Sequence, residues 1–421
     1  MSTIAISSSF GANIDRLSSG LTLIHQHIPA TPVAVVDVWV KAGARVEPNE
    51  WSGMAHFLEH MIFKGTHQLR PGMFDQAIET QGGITNAATS HDYAHFFITT
   101  AAQQLGATLP YLSELLLHAA IPDDEFGRER DVVLEEIRQT QDNPDWLGFQ
   151  ALMETIYQDH PYGRPVLGTE ETLLQNSPAQ MRQFHSSYYQ PENMVVVVAG
   201  GVEYEATRAL VEENFRDFVP PGDCSPLVYS ADPPLTYIRR QEIRLPRLEQ
   251  ARLLMAWTGP GVDQLQDAYG LDLLAVLLGE GRSSRLVREL REERQLVQGV
   301  SCDFSLQRDS SLFTISAWLE VEHLERVEAI VGDRLAALAH GPISEAELAR
   351  CKRLLCNDYA FSTETPGQLA GLYGYYGTIA DAALSTSYPR YIQALQASDL
   401  QQIAQQYLSP YRYAVTILRS L

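Results

Sequence analysis

The chain has 421 residues, 45% of them hydrophobic, and a formal net charge of −21 from 52 Asp and Glu against 31 Lys and Arg. That acidic balance argues against nucleic acid as a partner, because phosphates call for Lys and Arg, and no apolar run reaches the ~18–20 residues that cross a bilayer. The length suits two domains of about 200 residues, and the four Cys, at 224, 302, 351 and 356, form neither a zinc-ligand spacing nor a dense disulfide framework.

Met1 to Gly11 is Ser-rich, without a basic start or a long apolar core, and does not read as a secretory signal. With the Cys usage, this predicts a soluble protein of a reducing compartment, the cytoplasm. Thr31 to Val40 is short, β-branched and closed by Lys41-Ala42-Gly43, which predicts a mostly buried strand. Tyr93 to Thr100 and Met194 to Gly200 predict two more. Helical patterns fall at about 51–64, 72–82, 103–118, 123–140, 147–157 and 203–217. Strands separated by groups of helices, without regular alternation, predict α+β layers.

A Pro-rich, polar stretch at 218–236 reads as a linker. It divides the chain into an N-terminal domain, 1–217, and a C-terminal domain, 237–421. Beyond it the pattern repeats. Gln250 to Trp257 predicts a strand, a helix follows near 262–279, and Leu312 to Trp318 predicts another strand. His323 to Leu338 is helical. Ile343-Ser344-Glu345 opens a helix much as Ile121-Pro122-Asp123 does in the first half. Tyr413 to Ile417 closes with a strand. The expected architecture is two homologous domains, each a mixed sheet packed by helices.

The chemistry concentrates in His56-Phe57-Leu58-Glu59-His60, inside the apolar run Gly53 to Phe63. On a helix, His56 and His60 lie one turn apart on one face and can offer two imidazoles to one metal ion. Glu59 borders that face, where a carboxylate can take a proton from water. Zinc suits two imidazoles and a carboxylate, and a catalytic zinc keeps one position for water and lowers its pKa. The motif H-x-x-E-H is the inverse of H-E-x-x-H. A third ligand must come from elsewhere, since residues 52 and 64 are Ser and Lys. The best segment is Glu129 to Ile137, where Val132, Val133 and Ile137 predict a buried stripe. Glu129 and Glu136 share a face, and Glu135 is rotated from it by about 100°. The residues alone leave Glu135 and Glu136 both open as the ligand.

H-x-x-E-H followed by 75 residues and a Glu resembles the pitrilysin-type (M16) zinc peptidases. The chain is closest in length to their short dimeric subfamily and is similar to the mitochondrial processing peptidase beta subunit. Gly83 to Ser90, His160 to Pro165 and Tyr188 to Met194 extend the resemblance over nearly the whole chain. The resemblance implies one zinc per chain on His56, His60 and Glu136, with Glu59 as general base and Glu129 as a supporting catalytic-site acid. It also implies Asn86, Ala87, Ala88 and Thr89 as an edge strand that pairs with peptide substrate, and a dimer closing as a clam-like chamber.

Active members of the family carry an Arg and, seven residues on, a Tyr. Here Arg291 keeps the first position and Gln298 stands at the second. Arg can steady a carbonyl through its planar fork, and Tyr can donate to a developing oxyanion. The substitution points to a heterodimer in which a related subunit supplies both. A homodimer and an assembly subunit of peptidase ancestry are the alternatives. Arg282 and Arg285, in a Gly-rich turn of the second half, are further candidate substrate contacts. The expected substrate is an extended peptide, with basic residues favoured by the net charge. A hydrolase of non-peptide substrates fits the edge-strand motif less well, because backbone pairing recognises extended peptides.

Overall fold

The computed structural model describes residues 11–224, 229 and 234–421. Residues 1–10, and 225–228 and 230–233 of the 218–236 stretch, lie outside the described residues, and with them most of the stretch read for a signal and much of the one read as a linker.

The strands are β1 (Asn13–Arg16), β2 (Thr22–His27), β3 (Val33–Val40), β4 (Ile84–Thr89), β5 (Ala94–Ala101), β6 (Met194–Gly200), β7 (Arg239–Leu245), β8 (Ala251–Pro260), β9 (Gly299–Leu306), β10 (Ser310–Leu319) and β11 (Ala414–Ser420). They form two sheets. The first has six strands in the order β1-β2-β6-β3-β5-β4, and the second has five in the order β7-β11-β8-β10-β9. From β2 onward the two orders match strand for strand. So do the directions: β2 with β6 and β7 with β11 are parallel, and every other pair is antiparallel. The chain is a duplicated α+β unit of mixed sheet and helices.

Each sheet has two apolar faces to cover. On β3, Val36, Val38 and Val40 join the core formed with the helices of the first half, including Met54–Ile62 and Leu105–Leu117. Val35 and Trp39 face the other way, with Ile24, Val195, Val197 and Ala199. The helix Pro366–Ile379 covers that second face through Ala370 and Tyr373. In the second sheet, Leu254, Ala256, Leu312 and Leu418 are covered by Leu152, Met153 and Ile156 of the helix Pro144–Ile156.

The two compact units are therefore interleaved in sequence. One comprises residues 1–137, 165–228 and 361–387, the other 138–164, 229–360 and 388–421. This corrects the contiguous division into 1–217 and 237–421. The reason is burial: a sheet face lined by Val, Ile and Trp needs an apolar cover, and each sheet takes that cover from the other half of the chain. Gly374 makes the close approach in the first unit, since a Cβ there would collide with the Trp39 indole.

A candidate metal centre

The helix Met54–Ile62 is fixed by what it buries. Met54, Ala55, Phe57, Leu58, Met61 and Ile62 all point into the core of the first unit. Its start lacks a side-chain cap of its own. The fully buried Glu47 replaces one, accepting hydrogen bonds from the backbone N–H of Gly53 at 3.0 Å and of Ala55 at 2.7 Å. A carboxylate there satisfies two otherwise orphaned donors and suits the positive end of the helix. Gly53 itself has φ of +89°, and a Cβ on it would meet the Leu167 carbonyl at 2.7 Å. Nothing in the local spacing marked Glu47, because its partners are reached through the fold.

With this helix fixed, His56 and His60 stand one turn apart with ring centroids 4.8 Å apart. Glu136 reaches them from the helix Asp123–Gln141. Its Oε2 lies 3.7 Å from His56 Nε2 and 3.6 Å from His60 Nε2. One donor atom from each of the three falls within 4.8 Å of the others, the one such cluster of acids, His and Cys among the described residues. A tetrahedral zinc with bonds of about 2.0–2.2 Å sets its donors roughly 3.3–3.6 Å apart. The donor set, two imidazoles and a carboxylate, suits zinc, and the two Glu136–histidine separations lie close to that range. Glu135, left open by the sequence, is exposed and outside the cluster.

The Asp123–Gln141 helix buries Phe126, Glu129, Val133, Leu134 and Ile137. Val132, expected in the stripe, is instead 51% exposed. It lies off the core-facing side, which positions 126, 129, 133 and 137 define by three- and four-residue steps. Glu129 lies on this buried side, and its Oε1 is 2.9 Å from His60 Nδ1. That contact holds the imidazole by one nitrogen and leaves Nε2 directed at Glu136. The other oxygen, Oε2, is 2.6 Å from Lys64 Nζ.

His56 is buried, and this burial, aided by the neighbouring His60, depresses its pKa to about 3. A neutral imidazole is the form that binds a metal. Burial also raises the pKa of the Glu59 carboxyl above its ordinary value, against the opposing hydrogen bond from Thr89. Thr89 Oγ1 donates to Glu59 Oε2 at 2.5 Å. Thr89 ends β4, the edge strand of the first sheet, along which Asn86 and Ala88 are exposed while Ala87 and Thr89 are half-buried.

Arg291 belongs to the second unit, in the segment Val287–Glu293 with i→i+5 hydrogen bonding. Its Nη2 donates to Glu292 Oε1 at 2.7 Å. Gln298 is exposed just before β9. Arg282 and Arg285 are both engaged in ion pairs, with Glu292 at 2.8 Å and Glu347 at 3.0 Å.

The family model "Insulinase (Peptidase family M16)" matches residues 22–170, and "Peptidase M16 inactive domain" matches 176–355. The chain belongs to the M16 peptidase family. It is 33% identical over 338 residues to an uncharacterized zinc protease of Mycobacterium leprae, covering 79% of this chain and 74% of that one. It is 30% identical over 407 residues to the zinc protease PqqE of Helicobacter pylori, covering 96% and 91%. The crystal structure of a protease from Helicobacter pylori superposes with a TM-score of 0.90 at 29% identity, over 97% of this chain and 99% of that one. The Mycobacterium leprae and PqqE relatives are zinc proteases by name. All five residues of the candidate centre, His56, Glu59, His60, Glu129 and Glu136, fall within the first match, and none falls within the match described as inactive. Among the described residues, no helix is long and apolar enough to cross a membrane.

Proposed function

We propose that this chain is a zinc-dependent endopeptidase acting on extended peptides, with one metal ion per chain on His56, His60 and Glu136. The convergence of those three donors, with His60 oriented by Glu129, carries the reading. A zinc ion held there supplies Lewis-acid polarisation and lowers the pKa of a water molecule towards neutrality. Glu59 takes the proton of the attacking water and returns it to the departing amide nitrogen. Its burial favours a carboxylate that holds a proton readily, and Thr89 fixes its direction. The outer edge of β4 supports substrate pairing, since an edge strand offers main-chain groups to an extended peptide. Carboxylates near the site would favour basic side chains.

The productive form is a pair of such chains closing as a chamber, and this chain is the metal-bearing member of a heterodimer. Gln298 supports that assignment, because it stands where a Tyr donor is expected beside Arg291. Loss of one oxyanion donor costs about 2.7–4 kcal/mol in the transition state.

The test is cleavage of an unstructured basic peptide by purified chain, alone and mixed with a related subunit, with and without chelator, alongside zinc stoichiometry. Glu59→Gln should keep the zinc and lose about 10²–10⁴-fold in turnover. Glu136→Gln should lose the zinc. Full chelator-sensitive activity from a homogeneous homodimer would remove the need for a partner. Zinc binding unaffected by Glu136→Gln would remove the ligand assignment.

A further inference from the structure

We infer that Lys64 is a positioning residue of the metal centre, holding Glu129 so that Glu129 can hold His60. The inference rests on the metal assignment proposed above. Lys64 follows His60 by four residues and lies just past the C-terminal end of the helix Met54–Ile62, in the turn that leaves it. It is not a ligand. The Lys64 Nζ lies 2.6 Å from Glu129 Oε2, and Glu129 Oε1 lies 2.9 Å from His60 Nδ1. One carboxylate is thus shared, an oxygen each, between an ammonium and the ring nitrogen that faces away from Glu136.

Enclosure makes the ammonium matter. The Glu129 side chain is only 10% exposed and that of Lys64 27%. A carboxylate so enclosed is costly without a cation, and removing one member of a buried pair leaves the other uncompensated. Without Lys64, Glu129 gains by turning towards water, and His60 loses the acceptor that sets its ring plane. Lys64 has a second effect. It cancels the charge of Glu129, so the outer carboxylate orients the histidine without adding net negative charge beside Glu136 and Glu59.

The experiment measures zinc affinity of metal-free protein by competition with a chromogenic chelator, for wild type, Lys64→Met, Lys64→Arg, Glu129→Gln, the Lys64→Met/Glu129→Gln double variant and His60→Ala. Second-shell losses run about 10–100-fold. Lys64→Met should fall in that range, as should Glu129→Gln. The double variant should bind no more weakly than Glu129→Gln alone, because the two residues act as one unit. Lys64→Arg keeps a cation against the carboxylate and should recover most of the affinity. Thermal unfolding of each metal-free variant separates loss of fold from loss of orientation. If Lys64→Met unfolds early, Lys64→Arg and the double variant still decide. Wild-type affinity in Lys64→Met, or losses that multiply in the double variant, would overturn the role of Lys64. A wild type that binds zinc no better than His60→Ala would instead overturn the metal assignment itself.

Discussion

Thr89 Oγ1 donates a 2.5 Å hydrogen bond to Glu59 Oε2, joining the end of edge strand β4 to the carboxylate beside the two histidines. The strand proposed to receive the peptide and the side chain proposed to move its proton are therefore tied by a direct hydrogen bond. A peptide in register with Asn86 to Thr89 would be in register with Glu59.

Thr89→Val is expected to lower kcat about 10–100-fold, since a hydrogen bond to a charged group is worth about 1.5–3 kcal/mol and 1.36 kcal/mol is tenfold in rate. KM and zinc content should change little, because the backbone of residue 89 is retained. Thr89→Ser should restore kcat. Steady-state kinetics of the pair would settle it, and an unchanged kcat in the Val variant would sink the idea.

Glu47→Ala leaves the buried N–H groups of Gly53 and Ala55 without their acceptor. The expected loss is about 1–3 kcal/mol of stability, read by urea unfolding of metal-free protein. Zinc affinity should fall with it, because the same helix carries both histidines.

His185 donates from Nε2 to the Leu116 carbonyl at 2.8 Å and is fully enclosed, which depresses its pKa to about 4. In unfolded chain the ordinary value of 6.5 returns. Below about pH 6.5 the unfolded state takes up the proton and the folded state does not. The stabilising contribution is full above that pH and is lost as pH falls through about 4. The gap is worth roughly 3 kcal/mol. His185→Gln retains a donor and cannot titrate, so its unfolding midpoint should drop less than that of wild type between pH 7 and pH 4.5. Parallel pH curves for the two proteins would count against this.

Gly374→Val places a branched side chain against the buried Trp39 indole. Overpacking of this kind costs about 1–3 kcal/mol. Differential scanning calorimetry should show a lower unfolding temperature, and Gly367→Ala, on the same helix with open space around its Cβ position, should not.

The sequence announced what depends on near neighbours. β3 and β6 are β-branched and apolar, β10 has a mostly apolar centre at Leu312 to Ile315, and the helices at 54–62, 105–117 and 123–141 carry periodic stripes, so they fall close to their predicted bounds. β2 and β7 were not foreseen. In β2 the buried His25 beside Gln26 interrupts the apolar run, and in β7 the segment Arg239-Arg240-Gln241-Glu242 looks like solvated loop. The helix Pro366–Ile379 was hidden by Gly371, Gly374 and Gly377, which read as breakers until Trp39 shows why Gly374 must be small. At the candidate metal centre, both histidines and Glu59 stand out from spacing. The choice of Glu136 over Glu135 is geometric, and Glu47, Lys64 and the Thr89 hydroxyl emerge only once distant segments meet.

The reciprocal exchange of helices sets how this chain can be taken apart. A cut within 218–236 would separate β3 and its Trp39 from Pro366–Ile379, and β8 from Pro144–Ile156, stripping one apolar face from each sheet at once. Neither fragment would be a self-sufficient folding unit. Expressed singly, each would present a broad sticky surface and precipitate. Produced together, the fragments could complement one another and rebuild the fold. Synthesis on the ribosome faces the same constraint: the second face of the first sheet cannot be covered until residue 379 has emerged, long after the segment bearing both histidines.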